Sequence, residues 1–349
     1  MSGNVVQRGQ FAILTKWQRS QLALYEGADL VLELPLLASL QSADYFAKWS
    51  IDLLGRLGIN LLIFGTETAS SQEIKDLYQW LQRNDSSLES LVCQEMGKGL
   101  SYAASKQAAI DLMDTNQQVT FNVSLGNNLL GLKYYQWIQE FGLSMEIEAL
   151  KRNDKFLSGS QIREIATNQD SLVDYLPQKT LDIFTSENII TMEKFFPLLK
   201  YQLVSKNLDD LGQIQAVREG IEYLLIDKIN QVESMSDFIN QLTSKRWTKS
   251  SIQRILMNIL LNISADDWAS YQKAYQKLPK IRILAYNQKG RQFLKEQRMS
   301  GKVHLFSNLN KEIYQNYQLM IRADAIYRLG NRLVEEQNIG KFPYYMTGL

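Results

Sequence analysis

The sequence predicts an α/β chain, a doubly wound parallel sheet followed by a mostly helical C-terminal region with a small α+β part. Three observations lead there. Short apolar runs alternate with helical periodicity through the first 150 residues. From about residue 190 helical spacing dominates. Two more short apolar runs, Lys280 to Tyr286 and Lys302 to Phe306, come near the end, each followed by a helix-like stretch.

The elements follow in order. Lys16 to Glu26 has helical apolar spacing and stops at Gly27. Asp29 to Pro35 reads as a buried strand. Ser42 can cap a helix through Tyr45, Phe46, Trp49, Ile51 and Leu54 to Gly58. Asn60 to Phe64 is a second strand, ended by Gly65. Helices are expected over 71–83, 101–114 and 127–141, and a third strand over Ser144 to Leu150. Apolar strands in this alternation suit a parallel sheet covered on both faces, in which ligands bind at the carboxyl ends of the strands. That rule selects the loop after Leu34, the Gly65-Thr66-Glu67 turn and the loop after Leu150. Beyond the sheet, helices are expected after Thr191, over 208–230 and from Ser250 to Ile263. The division is placed near residue 188, with a nucleotide-binding domain over 1–188 and a helical, basic region over 189–349.

Composition narrows the chemistry. Cys93 and His304 are the single cysteine and histidine among 349 residues. An intrachain disulfide framework is therefore impossible, and a Cys/His zinc site lacks ligands. His304 sits in a strand-like run and reads as structural. The chain shows no signal peptide and no apolar run near the roughly 20 residues that span a bilayer, so a cytoplasmic protein without a membrane partner is expected. The net charge of +1 hides an asymmetry: residues 1–240 hold 20 basic and 30 acidic residues, and residues 241–349 hold 18 and 7. Such a split suits a C-terminal region facing a polyanion, and equally a solvated basic surface or one docked on the acidic half.

Five local features bear on function. Leu157-Ser158-Gly159-Ser160-Gln161-Ile162-Arg163 opens a helix after the third strand. Ser158 suits an N-cap, the free N–H groups attract an anion, and Arg163 lies one turn in. An ordinary capped helix with a surface arginine has the same pattern. Gly65 at a strand end allows close approach of a ligand, or simply ends the strand. Asn127 precedes a helix, where an amide caps the helix or reads a base edge. The opening run, with Ser2, Gly3, Asn4, Gln7 and Arg8, is polar and glycine-containing, as binding loops are. Lys245-Arg246-Trp247-Thr248-Lys249, ahead of a helix carrying Arg254, interleaves cations with an aromatic ring as RNA contacts do; a helix start with a buried Trp247 competes. Asn287-Gln288-Lys289-Gly290-Arg291 is a second, less specific basic turn.

Taken together these residues resemble the tRNA(Met) cytidine acetate ligases of the nucleotidylyltransferase-like superfamily. The resemblance is carried by Ser2-Gly3-Asn4 through Gln7-Arg8-Gly9, Lys16-Trp17, Gly27 to Val31, Glu33-Leu34-Pro35, Gln41 to Asp44 and Phe64 to Glu67. Asn127 before Leu129-Leu130-Gly131-Leu132, Ser158-Gly159-Ser160 with Arg163, and Thr243 to Lys249 follow in order. The resemblance implies formation of acetyl-adenylate from ATP and acetate with release of pyrophosphate, then transfer of the acetyl group to N4 of the wobble cytidine of elongator tRNA(Met). It implies ATP contacts by Gly65, Asn127, Arg152, Ser158, Ser160 and Arg163, with the opening loop lining the cleft, and Mg2+ from ATP chemistry. The tRNA would meet Lys245, Arg246, Trp247, Lys249 and Arg254. The chain also departs from the family. An HxGH-type signature that grips the phosphates is expected upstream of Met1, together with a first strand, so this chain is expected to be N-terminally truncated and impaired in activity. Gln10-Phe11 replaces an acidic residue and proline, Gly126 replaces proline, and no Tyr-His pair follows Arg152. A non-catalytic tRNA-binding relative is the alternative.

Overall fold

The computed structural model describes residues 1–114, 121–153, 155–168, 170–184 and 189–347. The chain forms two compact units. The first joins residues 1–41, 156–242 and 249–349; the second joins 42–155 and 243–248. The boundary expected near residue 188 lies outside the described residues.

The opening run is a tight hairpin. Strand β1 (Val5–Val6) pairs antiparallel with β2 (Gln10–Phe11), and Gly9 N–H donates to the Val6 carbonyl at 3.0 Å. Gln7 and Arg8 therefore sit at the turn. Helix α1 (Lys16–Tyr25) starts at a Thr15–Gln18 capping box and buries Lys16, Ser20 and Leu24, one residue per turn. Gly27, with φ +99, follows it in the left-handed region that glycine tolerates. Strand β3 (Leu30–Leu32) and helix α2 (Leu36–Ser39) complete this segment.

The second unit holds α3 (Ala43–Arg56), β4 (Leu61–Thr66), α4 (Ser71–Gly97), α5 (Tyr102–Met113), α6 (Gly126–Glu140) and β5 (Glu146–Lys151). Strands β4 and β5 are parallel, in register from Leu61 opposite Glu146 to Thr66 opposite Lys151. Gly65 lies inside β4 rather than ending it. Helix α4 runs to Gly97, a full 14 residues past the expected Arg83, because Leu88 and Val92 continue its buried stripe beyond the polar Asn84 to Ser87 segment. Ile51, Ile74, Ile110, Leu132 and Ile138 form the core of this unit. Gly131 is required there: a Cβ would stand 2.5 Å from the Phe64 ring, which packs edge-on against Tyr134.

The rest of the first unit is α7 (Gly159–Thr167), α8 (Gln178–Ile183), a 3-10 turn (Met192–Phe195), α9 (Phe196–Ser205), α10 (Leu208–Gly212), α11 (Ile221–Ile229), α12 (Met235–Leu242), α13 (Lys249–Leu260), α14 (Ala265–Lys277), β6 (Lys280–Tyr286), α15 (Gln288–Ser300), β7 (His304–Phe306), α16 (Lys311–Asn316), α17 (Gln318–Leu329) and β8 (Tyr344–Tyr345). The single helix expected over 208–230 is two, since Ala216, Glu219 and Gly220 all take positive φ between them. Strand β6 is central, parallel to β7 and β8 and antiparallel to β3. The α/β class holds, but β3 belongs here and not beside β4. An apolar run of three residues carries no information about its partner.

Candidate functional site

The carboxyl ends of β4 and β5 bring together three of the expected residues. Arg152 continues the strand pairing, its N–H donating to the Thr66 carbonyl at 2.9 Å. Its side chain is exposed, and among the described residues it has no carboxylate partner. Gly65 is exposed, and a Cβ there would meet nothing within 4 Å. The glycine thus leaves open space beside the backbone. Asn127 is held nearby through Glu67, whose carboxylate accepts the Asn127 N–H at 3.1 and 3.0 Å and the Asn128 N–H at 2.9 Å. Glu67 is placed at the positive end of α6, where a carboxylate is favoured.

The neighbouring Asn128 completes a clamp that sequence reasoning missed. Its side chain is fully buried and accepts N–H bonds from Glu67 (3.1 Å) and Thr68 (3.2 Å). Its amide donates to Thr68 Oγ1 and to the Asn122 carbonyl. Glu67 and Asn128 exchange bonds in both directions and fix the turn after β4 against the start of α6. The adjacent Asn127-Asn128 pair was the available signal: one amide is half-buried and the other is consumed.

The other expected residues lie in the first unit. Ser158 caps α7 in a reciprocal box, with Gln161 N–H donating to Ser158 Oγ (3.2 Å) and Ser158 N–H to Gln161 Oε1 (2.8 Å). Ser160 Oγ accepts from Arg163 Nη2 at 2.9 Å. Burial pushes the Arg163 guanidinium below its ordinary range, and Arg8 from the hairpin turn adds to the shift. Two cations, Arg8 and Arg163, are therefore close enough to repel.

The hairpin that presents Arg8 is held from both sides. Gly9 has φ +73, and a Cβ on it would lie 2.4 Å from the Gln253 carbonyl carbon and the Arg254 nitrogen, so the turn rests directly on α13. Arg254, expected beside Lys245, is thus placed against the hairpin; burial lowers its guanidinium as well. Gln7 donates to the Gln41 carbonyl. Ser2 and Gly3 give their carbonyls to Arg19. Asn4 is 2% exposed and spends its amide on Asp324 (2.8 Å) and Gln337 (3.2 Å), while its oxygen accepts the Lys16 N–H (2.7 Å). Beneath it Lys16 Nζ lies between Glu33 (3.0 and 3.1 Å) and Asp324 (2.7 Å), all buried.

Lys245 and Arg246 are exposed on the 243–248 segment of the second unit, with the Arg246 guanidinium 5.8 Å from the half-buried Trp247 ring. Lys249 and Arg254 belong to the first unit. His304 begins β7, and its backbone N–H donates to the Pro279 carbonyl. Among the described residues no His, Cys, Asp or Glu cluster is built to hold a metal ion, and no helix is long and apolar enough to cross a membrane. Glu67 does not fit a metal either, because backbone donors already occupy its carboxylate.

Comparison with known proteins bears on the family and the fold. Residues 1–341 match the family model described as HIGH Nucleotidyl Transferase. The tRNA(Met) cytidine acetate ligase of Streptococcus pneumoniae serotype 19F is 34% identical over 98% of this chain and 90% of its own length, and that of serotype 4 matches equally. Among solved structures, Thermotoga maritima TmcAL bound with alpha-thio ATP superposes with a TM-score of 0.87 at 24% identity, covering 100% of this chain and 91% of that one. Its apo form gives the same TM-score at 22% identity, covering 100% and 92%. These two likenesses concern the fold. The chain belongs to the tRNA(Met) cytidine acetate ligases and carries the HIGH nucleotidyl transferase fold family's pattern over residues 1–341.

Proposed function

We propose that this protein activates acetate with ATP and transfers the acetyl group to N4 of the wobble cytidine of elongator tRNA(Met), in the cytoplasm. The observation that carries the reading is the placement of Gly65 near the carboxyl end of β4 and of Arg152 just past the end of the parallel β5, one leaving open space and the other supplying an exposed guanidinium. Each unit holds a set of residues suited by itself to part of a nucleotide. In the second unit the Gly65 backbone, the Asn127 amide and Arg152 take the base, ribose and phosphate sides. In the first, the α7 start at Ser158 and Ser160, with Arg163 and Arg8, suits a phosphate. Lys245, Arg246, Trp247, Lys249 and Arg254 would meet the tRNA.

The chemistry needs alignment and charge stabilisation more than a nucleophilic side chain. An acetate oxygen attacks the α-phosphorus and pyrophosphate leaves, giving acetyl-adenylate. The cytidine N4 then attacks the acetyl carbonyl, AMP leaves and the amine loses a proton. Arginines hold the negative charge that builds on the phosphate oxygens, and the fixed turn after β4 keeps the reactants in place. Mg2+ would come with the nucleotide, bound through phosphate oxygens and water rather than by a dedicated protein site.

The test is exchange of labelled pyrophosphate into ATP, with and without acetate, followed by assay of N4-acetylcytidine in tRNA. Acetate-dependent exchange that falls at least tenfold in Arg152→Ala is expected. A second reading, a tRNA-binding relative without turnover, is equally suited by the charge of residues 241–349, which hold 18 basic and 7 acidic residues. Salt-sensitive tRNA binding with no exchange would establish that reading and overturn the first.

A further inference from the structure

Helix α15 connects the parallel strands β6 and β7, so its first turn rises from the carboxyl end of β6. One face of α15 is fixed inward. Gly290 sits so close to β3 that a Cβ would lie 2.0 Å from the Asp29 carbonyl oxygen, and Leu294 is buried one turn on. Asn287 caps the helix by accepting the Gly290 N–H and donates its amide to Asp29 Oδ1 at 2.7 Å. With that face inward, Arg291, Lys295 and Arg298, spaced by four and three residues, share one outer stripe and are all exposed. Lys302 is exposed just past Gly301, which ends the helix in the left-handed conformation.

Residues 287–302 contain five lysines and arginines against one acidic residue, Glu296. Among the described residues none of the five is paired with a carboxylate. Like charges one turn apart cost about 0.2–0.5 kcal/mol per pair, so the stripe is unfavourable to the helix alone. Aromatic rings lie at the same strand ends. Strand β6 finishes at Tyr286, whose ring is 5.2 Å from that of Tyr345 on β8, and Tyr345 is 39% exposed. Beside them Tyr344 meets Tyr25 at 6.3 Å, with Lys179 Nζ 5.0 Å above the Tyr25 ring.

We infer that the outer face of α15 and the carboxyl ends of β6 and β8 form a second RNA-contact surface, separate in sequence from the Lys245–Lys249 segment. Arg291, Lys295, Arg298 and Lys302 follow backbone phosphates; from Arg291 to Arg298 the stripe is about 10 Å long at 1.5 Å per residue. Tyr345 offers its ring to an unstacked base. Cations in a row and an exposed tyrosine ring at the same strand ends fit a single-stranded or loop region of RNA better than a lipid surface, which has no base to stack. The inference rests on the tRNA-modifying reading above and adds a surface to it.

The experiment uses the full chain and an elongator tRNA(Met) transcript, with binding measured across a salt series. In the triple variant Arg291→Gln, Lys295→Gln, Arg298→Gln the slope of log K against log salt should shrink by about 2–3, near 0.7–0.9 for each lost phosphate contact. Tyr345→Ala should weaken binding about tenfold and leave the slope unchanged. Acetate-dependent pyrophosphate exchange without tRNA should be unaltered in both, which separates this surface from the nucleotide site. An unchanged slope in the triple variant overturns the inference. So does binding of phosphatidylglycerol vesicles that the variant loses while its tRNA binding stays intact. If the unaltered chain shows no exchange, the enzymatic reading fails, while the tRNA slope still decides the surface.

Discussion

Replacing Lys16 by methionine tests the element that holds the opening hairpin. Lys16 Nζ is fully buried and bonded to Glu33 and to Asp324, 308 residues further along. Methionine keeps the volume and removes the charge, which leaves two interior carboxylates without the ammonium they both bond. Removing one partner of a buried ion pair costs about 3–5 kcal/mol, because the remaining charge is uncompensated. At roughly 2–4 °C per kcal/mol for a domain of some 200 residues, the thermal midpoint should fall on the order of 10 °C. Urea unfolding followed by circular dichroism reads the same quantity as a lower midpoint at unchanged slope. The second arm is the triple variant Lys16→Met, Glu33→Gln, Asp324→Asn, which removes all three charges and should recover a large part of the loss. A cost below about 1 kcal/mol for Lys16→Met, or a triple variant no better than the single one, would refute the reasoning.

Two further outcomes follow from the same kind of argument. Asn128→Ala leaves the Glu67 and Thr68 N–H groups without their acceptor and should cost about 2–3 kcal/mol, with weaker ATP binding measured by calorimetry, whereas Asn127→Ala should weaken ATP binding at little cost in stability. Burial, with Lys133 adding to it and Asp44, Asp85 and Glu89 opposing, pushes the Lys106 ammonium down from 10.5 to about 8. The folded state therefore loses this proton before the unfolded state does. Between about pH 8 and pH 10.5 the unfolded chain binds more protons, so stability rises with pH across that window, and below it the group is a constant burden. Lys106→Met should be the more stable protein at pH 7, with the advantage shrinking as pH approaches 10; a constant gap between the two melting curves would count against it.

What the sequence revealed was local. The Ser158–Arg163 helix start, the Gly27 stop and the β6 span follow from residues a few positions apart, and the cap, turn and period rules act over that range. The Arg83 end assigned to α4 failed because Asn84 to Ser87 resembles a stop, while Leu88 and Val92 keep the buried stripe going and packing outweighs propensity. The pairing of β3 with β6 and the Lys16–Asp324 contact span more than 240 positions each, and nothing within either segment specifies the partner. Asn4 shows the consequence for site prediction. Its polar neighbours suggested a ligand contact, yet the fold uses its amide to hold the hairpin root.

Arg8 and Arg163 differ from Asn4 in a way that bears on ligand binding. Asn4 is satisfied by protein groups, so it has nothing left to offer. Arg8 is exposed at the hairpin turn, and burial followed by the Arg8 charge holds the Arg163 guanidinium below its ordinary range. Among the described residues neither has a carboxylate partner. The Gly9 contact with α13 and the Ser158–Gln161 box fix the backbone beside each cation. An anion between the two guanidiniums would replace like-charge repulsion by attraction on both sides. A phosphate gains there from preorganised donors whose conformational cost was met during folding, which is the physical reason to place a phosphate contact at Arg163 rather than at the many other exposed cations of the chain.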